Sequence, residues 1–111
     1  MSCGMAADLL ICSECVFPDR RVPGFVLRLS RREAYFLTRE RISAGERGRL
    51  ALELPWRLGR IEVPVEVGPY SSLDRRPPGV GLSFGSVPRS QLDSIERYLT
   101  RYYDLLAQLQ A

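Results

Sequence analysis

PPGVGLSFGSVPRSQLDSIERYL, residues 77–99, contains the change of period that decides the fold. Its first part, Val80 to Phe84, is a short apolar run bounded by glycine, which predicts a strand. Ser86-Val-Pro then reads as a helix start, with Ser86 as cap and Pro88 in the first turn. Beyond it Leu92, Ile95, Leu99, Tyr102, Leu106 and Leu109 recur at spacings of three and four. That stripe is helical and is sustained nearly to the last residue.

Upstream the period is two. Ile61, Val63, Val65 and Val67 line one face of Arg60–Val67, and Pro64 on the other face predicts an edge or a bulge. Leu50, Leu52 and Leu54 alternate with Ala51 and Glu53 in Arg49–Leu54. Ala34–Thr38 is a further strand, preceded by one from Phe25 that places Phe25, Leu27 and Leu29 on one side and Val26, Arg28 and Ser30 on the other. Asp8–Phe17 is apolar and β-prone. Pro18–Gly24, Arg39–Gly48, Pro55–Gly59 and Gly68–Gly79 are turn or loop material. The order predicts a mainly β protein, a six-stranded antiparallel β-barrel with a C-terminal α-helix. Residues 1–7 are expected to be a loose tail. Residues 8–111 form one domain, with barrel 8–86 and helix 87–110, as a length of 111 residues allows.

Composition limits the chemistry. All 16 basic residues are Arg, and the chain has neither Lys nor His. His-based triads, imidazole general bases and Lys Schiff bases are therefore excluded. No phosphate-cradling glycine loop is present. The chain is expected to be a binding module, without enzymatic activity and without a cofactor. A net charge of +3 does not by itself imply nucleic acid, and none is expected as a partner. No run approaches the roughly 20 apolar residues of a membrane span, and no basic segment precedes an apolar run at the start. The cytoplasm is the expected compartment.

The stretches GFVLRLSRREAYFLT, SAGERGRLALELP, RIEVPVEV and PPGVGLSF, followed by a helix, resemble the PilZ domain family over roughly Gly24 to Tyr103. The resemblance implies the barrel-and-helix fold. It also implies a regulatory adaptor in bacterial signalling or surface motility, of the kind associated with type IV pilus-like systems. Family members are known as receptors for cyclic di-GMP, held by an Arg-x-x-x-Arg segment ahead of the first strand and an Asp-x-Ser-x-x-Gly turn after the second. The second motif falls on Arg28-Leu-Ser30-Arg-Arg-Glu33, where only Ser30 fits. Arg28 reverses the charge of a guanine-edge acceptor, and Glu33 brings a Cβ to a glycine position. Met1–Ala7 contains no Arg. Cyclic di-GMP is thus disfavoured, and a protein partner is the leading expectation.

Arg20, Arg21, Arg28, Ser30, Arg31 and Arg32 are the residues that could form a residual, relocated nucleotide site, because guanidinium forks suit phosphate and guanine. Arg28, Arg31 and Arg32 are equally candidates for an acidic protein partner, or simply a solvated face. Trp56 is an interface candidate or a buried turn aromatic. Tyr102, Leu106 and Leu109 lack an obvious partner within the chain, which predicts self-association or a helical partner. Cys3, Cys12 and Cys15 supply too few ligands for a structural zinc, and residues three apart in a strand face opposite sides. No metal is expected; a cysteine-linked metal-binding oligomer is the second alternative. Arg75 and Arg76 read as a solvated loop tip.

Overall fold

A computed structural model describes residues 10–74 and 76–110. The predicted tail of residues 1–7, the start of the first strand at Asp8, Cys3 and Arg75 lie outside the described residues. Six strands run in the order β1 (Ile11–Val16), β2 (Arg21–Leu29), β3 (Glu33–Leu37), β4 (Arg47–Leu54), β5 (Gly59–Val67) and β6 (Gly79–Phe84), followed by α1 (Arg89–Gln110). All neighbours are antiparallel, and the sheet closes as β1-β2-β3-β6-β5-β4. This is the six-stranded antiparallel β-barrel with one C-terminal helix that the sequence predicts.

The inward alternation follows the pattern on β4 and β5, where Leu50, Leu52, Leu54, Ile61, Val63, Val65 and Val67 are buried. On β2 the expected faces are reversed. Val22 and Val26 are buried, whereas Phe25 is 49% exposed. A register shift between Val26 and Arg28 marks a β-bulge, which lets Leu29 point inward three residues after Val26. One extra residue moves every later side chain to the other face. The strand also begins at Arg21, inside the stretch expected to be a turn, and runs through Pro23.

Both strand prolines are tolerated for the same reason. Thr38 Oγ1 donates to the Pro23 carbonyl at 3.4 Å, just past the end of β3 at Leu37. The Gly85 N–H donates to the Pro64 carbonyl at 2.8 Å, just past the end of β6 at Phe84. A strand residue's N–H and C=O point to the same side, so each missing N–H faces a place where the neighbouring strand has stopped. No whole strand is an edge in the closed barrel. The edge expected at Pro64 is local, and the unpaired β5 backbone beyond it is met by α1: the Glu62 N–H donates to Gln91 Oε1 at 2.7 Å.

The two barrel ends are closed differently. At the end that carries the β1–β2 turn, Ile42 is fully buried. Ser72 holds it there: Ser72 Oγ donates to the Glu40 carbonyl at 2.6 Å and accepts from the Ile42 N–H at 2.8 Å. At the other end α1 lies across the opening and buries Ile95, Tyr98 and Leu99. The helix starts later than a Ser86 cap implies. Its first accepting carbonyl belongs to Pro88, bonded to the Leu92 N–H at 2.9 Å, and proline needs no donor at a helix entry.

The β4–β5 hairpin turns through Trp56 and Arg57, both at φ 60°. Hairpins favour this left-handed pair because it matches strand twist, but asparagine and glycine adopt it most readily. Arg57→Gly is therefore expected to raise stability by up to about 1 kcal/mol, offset in part by glycine's looser unfolded chain. A rise in the urea midpoint at constant slope is the result to look for; a fall would show that the Arg57 side chain stabilises the hairpin more than its backbone strains it.

Candidate functional site

The β2–β3 turn is built by Ser30. Its Oγ donates to the Glu33 carbonyl at 3.1 Å and accepts from the N–H groups of Arg32 at 3.3 Å and Glu33 at 3.1 Å. A hydroxyl that closes its own turn in this way replaces the backbone freedom of a glycine. Ser30 is thus engaged in shaping the turn. Arg31 reaches across to α1 and pairs with Glu96 at 3.1 Å. Arg32 is exposed, with its backbone carbonyl bonded to the Phe84 N–H at 2.8 Å.

Arg28 stands on the outer face of the barrel beside Tyr35, its cross-strand neighbour. The two residues, with Glu33, Gly68, Gly81 and Ser83, line a shallow trough of about 280 Å³ across β2, β3 and β6. Tyr35 Oη donates to the Pro77 carbonyl at 3.1 Å, which holds the ring along one wall. Gly81 forms part of the floor. A Cβ built there would meet nothing within 4 Å, and its backbone is not left-handed, so neither packing nor conformation requires glycine. The bare backbone leaves the floor open to close approach from outside. Around Gly68 the trough meets a larger groove of about 830 Å³ on β4, β5 and β6, flanked by the Arg47–Glu66 ion pair at 3.3 Å. One guanidinium and one carboxylate, Arg28 and Glu33, lie on the smaller trough. Such mixed charge suits a polar surface of both signs better than a double phosphate.

Arg20 and Arg21 are not part of this site. They lie at the opposite end of β2, and Arg28 is seven positions along the strand from Arg21, roughly 23 Å at the usual strand rise. The basic cluster expected around one nucleotide is therefore divided between the two ends of the barrel. Arg20 is also committed: its two terminal nitrogens grip Glu46 at 3.0 and 2.9 Å, and one touches Asp19 at 3.0 Å. The guanidinium lies 4.6 Å above the Phe17 ring. Arg21 pairs with Glu14 at 3.2 Å.

Hydrogen bonds from Arg20 and then from the Ser43 N–H hold the Glu46 carboxyl below its usual range. A carboxyl whose pKa is depressed on folding stabilises the fold above its unfolded pKa and loses that contribution as pH falls through the folded one. The loss should therefore appear below about pH 4.3, the ordinary value for glutamate. Both partners are partly open to solvent, so the pair is worth at most about 1 kcal/mol. Glu46→Gln should flatten the acid side of a stability-versus-pH curve, and an unchanged acid limb would remove Glu46 from it.

Cys12 is exposed and Cys15 is buried, on opposite faces of β1 as alternation requires. Burial pushes the Cys15 thiol up to about 12. The two sulfurs cannot share an ion within this strand. Among the described residues no group of three potential metal ligands converges, and no helix is long and apolar enough to cross a membrane.

Trp56 is half-buried. Its ring stacks on Tyr98 with centroids 5.4 Å apart, and Arg101 lies 5.7 Å above it. The hairpin aromatic is thus a wedge between barrel and helix. Tyr102 packs against the core, Leu106 is half-buried, and Leu109 is 82% exposed. The sequence reading missed Tyr98, Glu46, Glu96 and Gly81. Arg20 and Glu46 are 26 positions apart, Arg31 and Glu96 65, so no local pattern could have paired them.

No protein-family model matches the chain, and no curated protein matches it. Among solved structures it is similar to the Bacillus subtilis inhibitor of motility MotI/DgrA, with a TM-score of 0.73 over 91% of this chain at 15% identity. The chain spans 50% of that protein's length. At this identity the likeness is one of fold.

Proposed function

We propose that this chain is a divergent PilZ-type regulatory module that acts in the bacterial cytoplasm by binding a protein partner, without catalysis. Its expected setting is surface motility or a related system such as a type IV pilus. The observation that carries the reading is the β2–β3 turn. Ser30 stands at the motif's serine position and builds the turn, but Arg28 and Glu33 stand where the motif has an acid and a glycine. A guanine edge would meet Arg28 instead of an acceptor. A carboxylate-bearing protein would find a fork there, and such rim charges set association rate and salt sensitivity. The fold likeness to a protein described as an inhibitor of motility supports the setting. The reading includes self-association or a helical partner at the last turns of α1, where Leu109 is exposed.

The competing reading, a cyclic di-GMP receptor with a relocated arginine set, is weakened by the placement of Arg20 and Arg21 at the far end of the barrel. A cysteine-linked metal site is weakened by the burial of Cys15. Calorimetry at low salt should show no binding of cyclic di-GMP at micromolar concentration. A saturable isotherm, lost in the Arg28→Ala/Arg32→Ala variant, would replace the adaptor by a nucleotide receptor.

A further inference from the structure

The groove between the β4–β5 hairpin and α1 lies away from the β2–β3 trough. It has a volume of about 610 Å³, and its lining includes Leu58, Arg97, Thr100, Arg101 and Asp104. Arg97 and Arg101 are one helical turn apart and project on the same side of α1. Several arginines are held by carboxylates: Arg20, Arg21, Arg31, Arg47, Arg49, Arg60 and Arg89 all sit in ion pairs. Among the described residues, Arg97 and the hairpin residue Arg57 have no such partner, and Arg101 is held only by the Trp56 ring. The acids at the near end of the groove are already engaged, Asp93 by Arg89 at 3.2 Å and Glu96 by Arg31 at 3.1 Å. Asp104, at the far end, is the remaining uncompensated acid.

Two like charges a turn apart on a helix repel each other. Here they border a groove with an apolar wall, Leu58, and a short side chain, Thr100, between them. The left-handed Trp56–Arg57 turn sets the indole under Arg101. Backbone strain of this kind persists where the surroundings hold it and gathers at binding surfaces.

We propose that this groove docks an acidic amphipathic helix of a protein partner. Two of its carboxylates, one turn apart, would pair with Arg97 and Arg101. A cation one turn further on would face Asp104, and a leucine between them would meet Leu58. The charge order along α1, plus, plus, minus, sets the order and direction of the ligand helix. Helix-in-groove docking supplies the apolar contact, and the guanidinium forks supply selectivity. This inference rests on the reading of the chain as a partner-binding module and names the chemistry of the partner.

Trp56 is the sole tryptophan and lies under Arg101 at the groove's edge, so its emission responds to a ligand that engages Arg101. The probe is a helical peptide of about 18 residues, long enough to be stapled into a stable helix, with Glu at i and i+4, Arg at i+8 and Leu between. Titrated into the full chain, it should shift Trp56 emission saturably. A peptide of the same composition in scrambled order should bind roughly tenfold more weakly, because rim charges select by position. Arg97→Glu/Arg101→Glu, both exposed and so compatible with the fold, should abolish the shift, and a peptide with Lys in place of Glu should restore it. Arg28→Glu/Arg32→Glu, at the β2–β3 turn and outside the lining of the groove, should leave it unchanged. Equal binding of the ordered and scrambled peptides, or an undiminished shift in the Arg97→Glu/Arg101→Glu protein, overturns the proposal. Loss of binding only in the Arg28→Glu/Arg32→Glu protein moves the partner to the β2–β3 turn, which sinks this inference and leaves the adaptor reading standing.

Discussion

Phe36→Ala is expected to destabilise the fold by about 3–5 kcal/mol. Phe36 is fully buried on β3 at the centre of the barrel. Its ring occupies the space that a side chain on β2 would otherwise fill. A Cβ on Gly24 would come within 2.6 Å of Phe36 Cζ and 2.4 Å of the Leu37 carbonyl oxygen. Phenylalanine and glycine are thus a matched pair across two strands, and truncating the ring leaves a cavity that the rigid, closed sheet cannot collapse to fill. Losses of this size are a large fraction of a small domain's total stability. Urea denaturation should show either a lower midpoint or a chain already unfolded in buffer. A loss below about 1 kcal/mol would mean that the barrel centre is loosely packed. Gly24→Ala offers an independent check, since its new methyl meets backbone as well as ring and neither can move without shifting a strand.

Leu99→Ala is expected to cost about 2–5 kcal/mol, with a distinct consequence. Leu99 and Ile95 are the aliphatic residues of α1 buried at the barrel mouth, at 1% and 0% exposure. In a folded protein most of a helix's stability comes from packing its apolar face, so α1 depends on that contact. Weakening it should lower the midpoint and raise amide exchange along α1 before the β4–β5 ladder opens. Because Ile95 and Leu99 share neighbours in one cluster, the double substitution should depart from the sum of the single costs. An unchanged exchange pattern in α1 would show that the helix is held by polar contacts of its N-terminal turns, through Gln91 and the Arg31–Glu96 pair, more than through its buried stripe.

The same helix connects the β2–β3 turn with the groove beside the β4–β5 hairpin. Arg31 ties the β2–β3 turn to Glu96, and Trp56 ties the hairpin to Tyr98 and Arg101. A carboxylate that captured Arg31 would compete with Glu96 and free an acid beside the Arg97–Arg101 groove. Binding at the turn is therefore expected to weaken binding of an acidic helix at the groove.

The primary structure determined much of the architecture by itself. Period-two alternation located β4 and β5, and the three-four spacing from Leu92 located α1, because these patterns are local and each reports a single buried face. Absent histidine and lysine excluded whole classes of chemistry without any coordinates. Three matters were left to the tertiary structure. The faces of β2 depended on a bulge whose cost and benefit lie in pairing with β3, so Phe25 and Val26 exchanged places. The fate of each arginine depended on an acid supplied from far along the chain: Glu46 took Arg20 and Glu96 took Arg31. The division of the basic residues between two barrel ends followed from the length of one strand, which holds Arg21 and Arg28 apart. Side-chain period is fixed by backbone geometry over a few residues, whereas ion pairing and the grouping of charges are fixed only when the barrel closes and brings distant strands and the helix together.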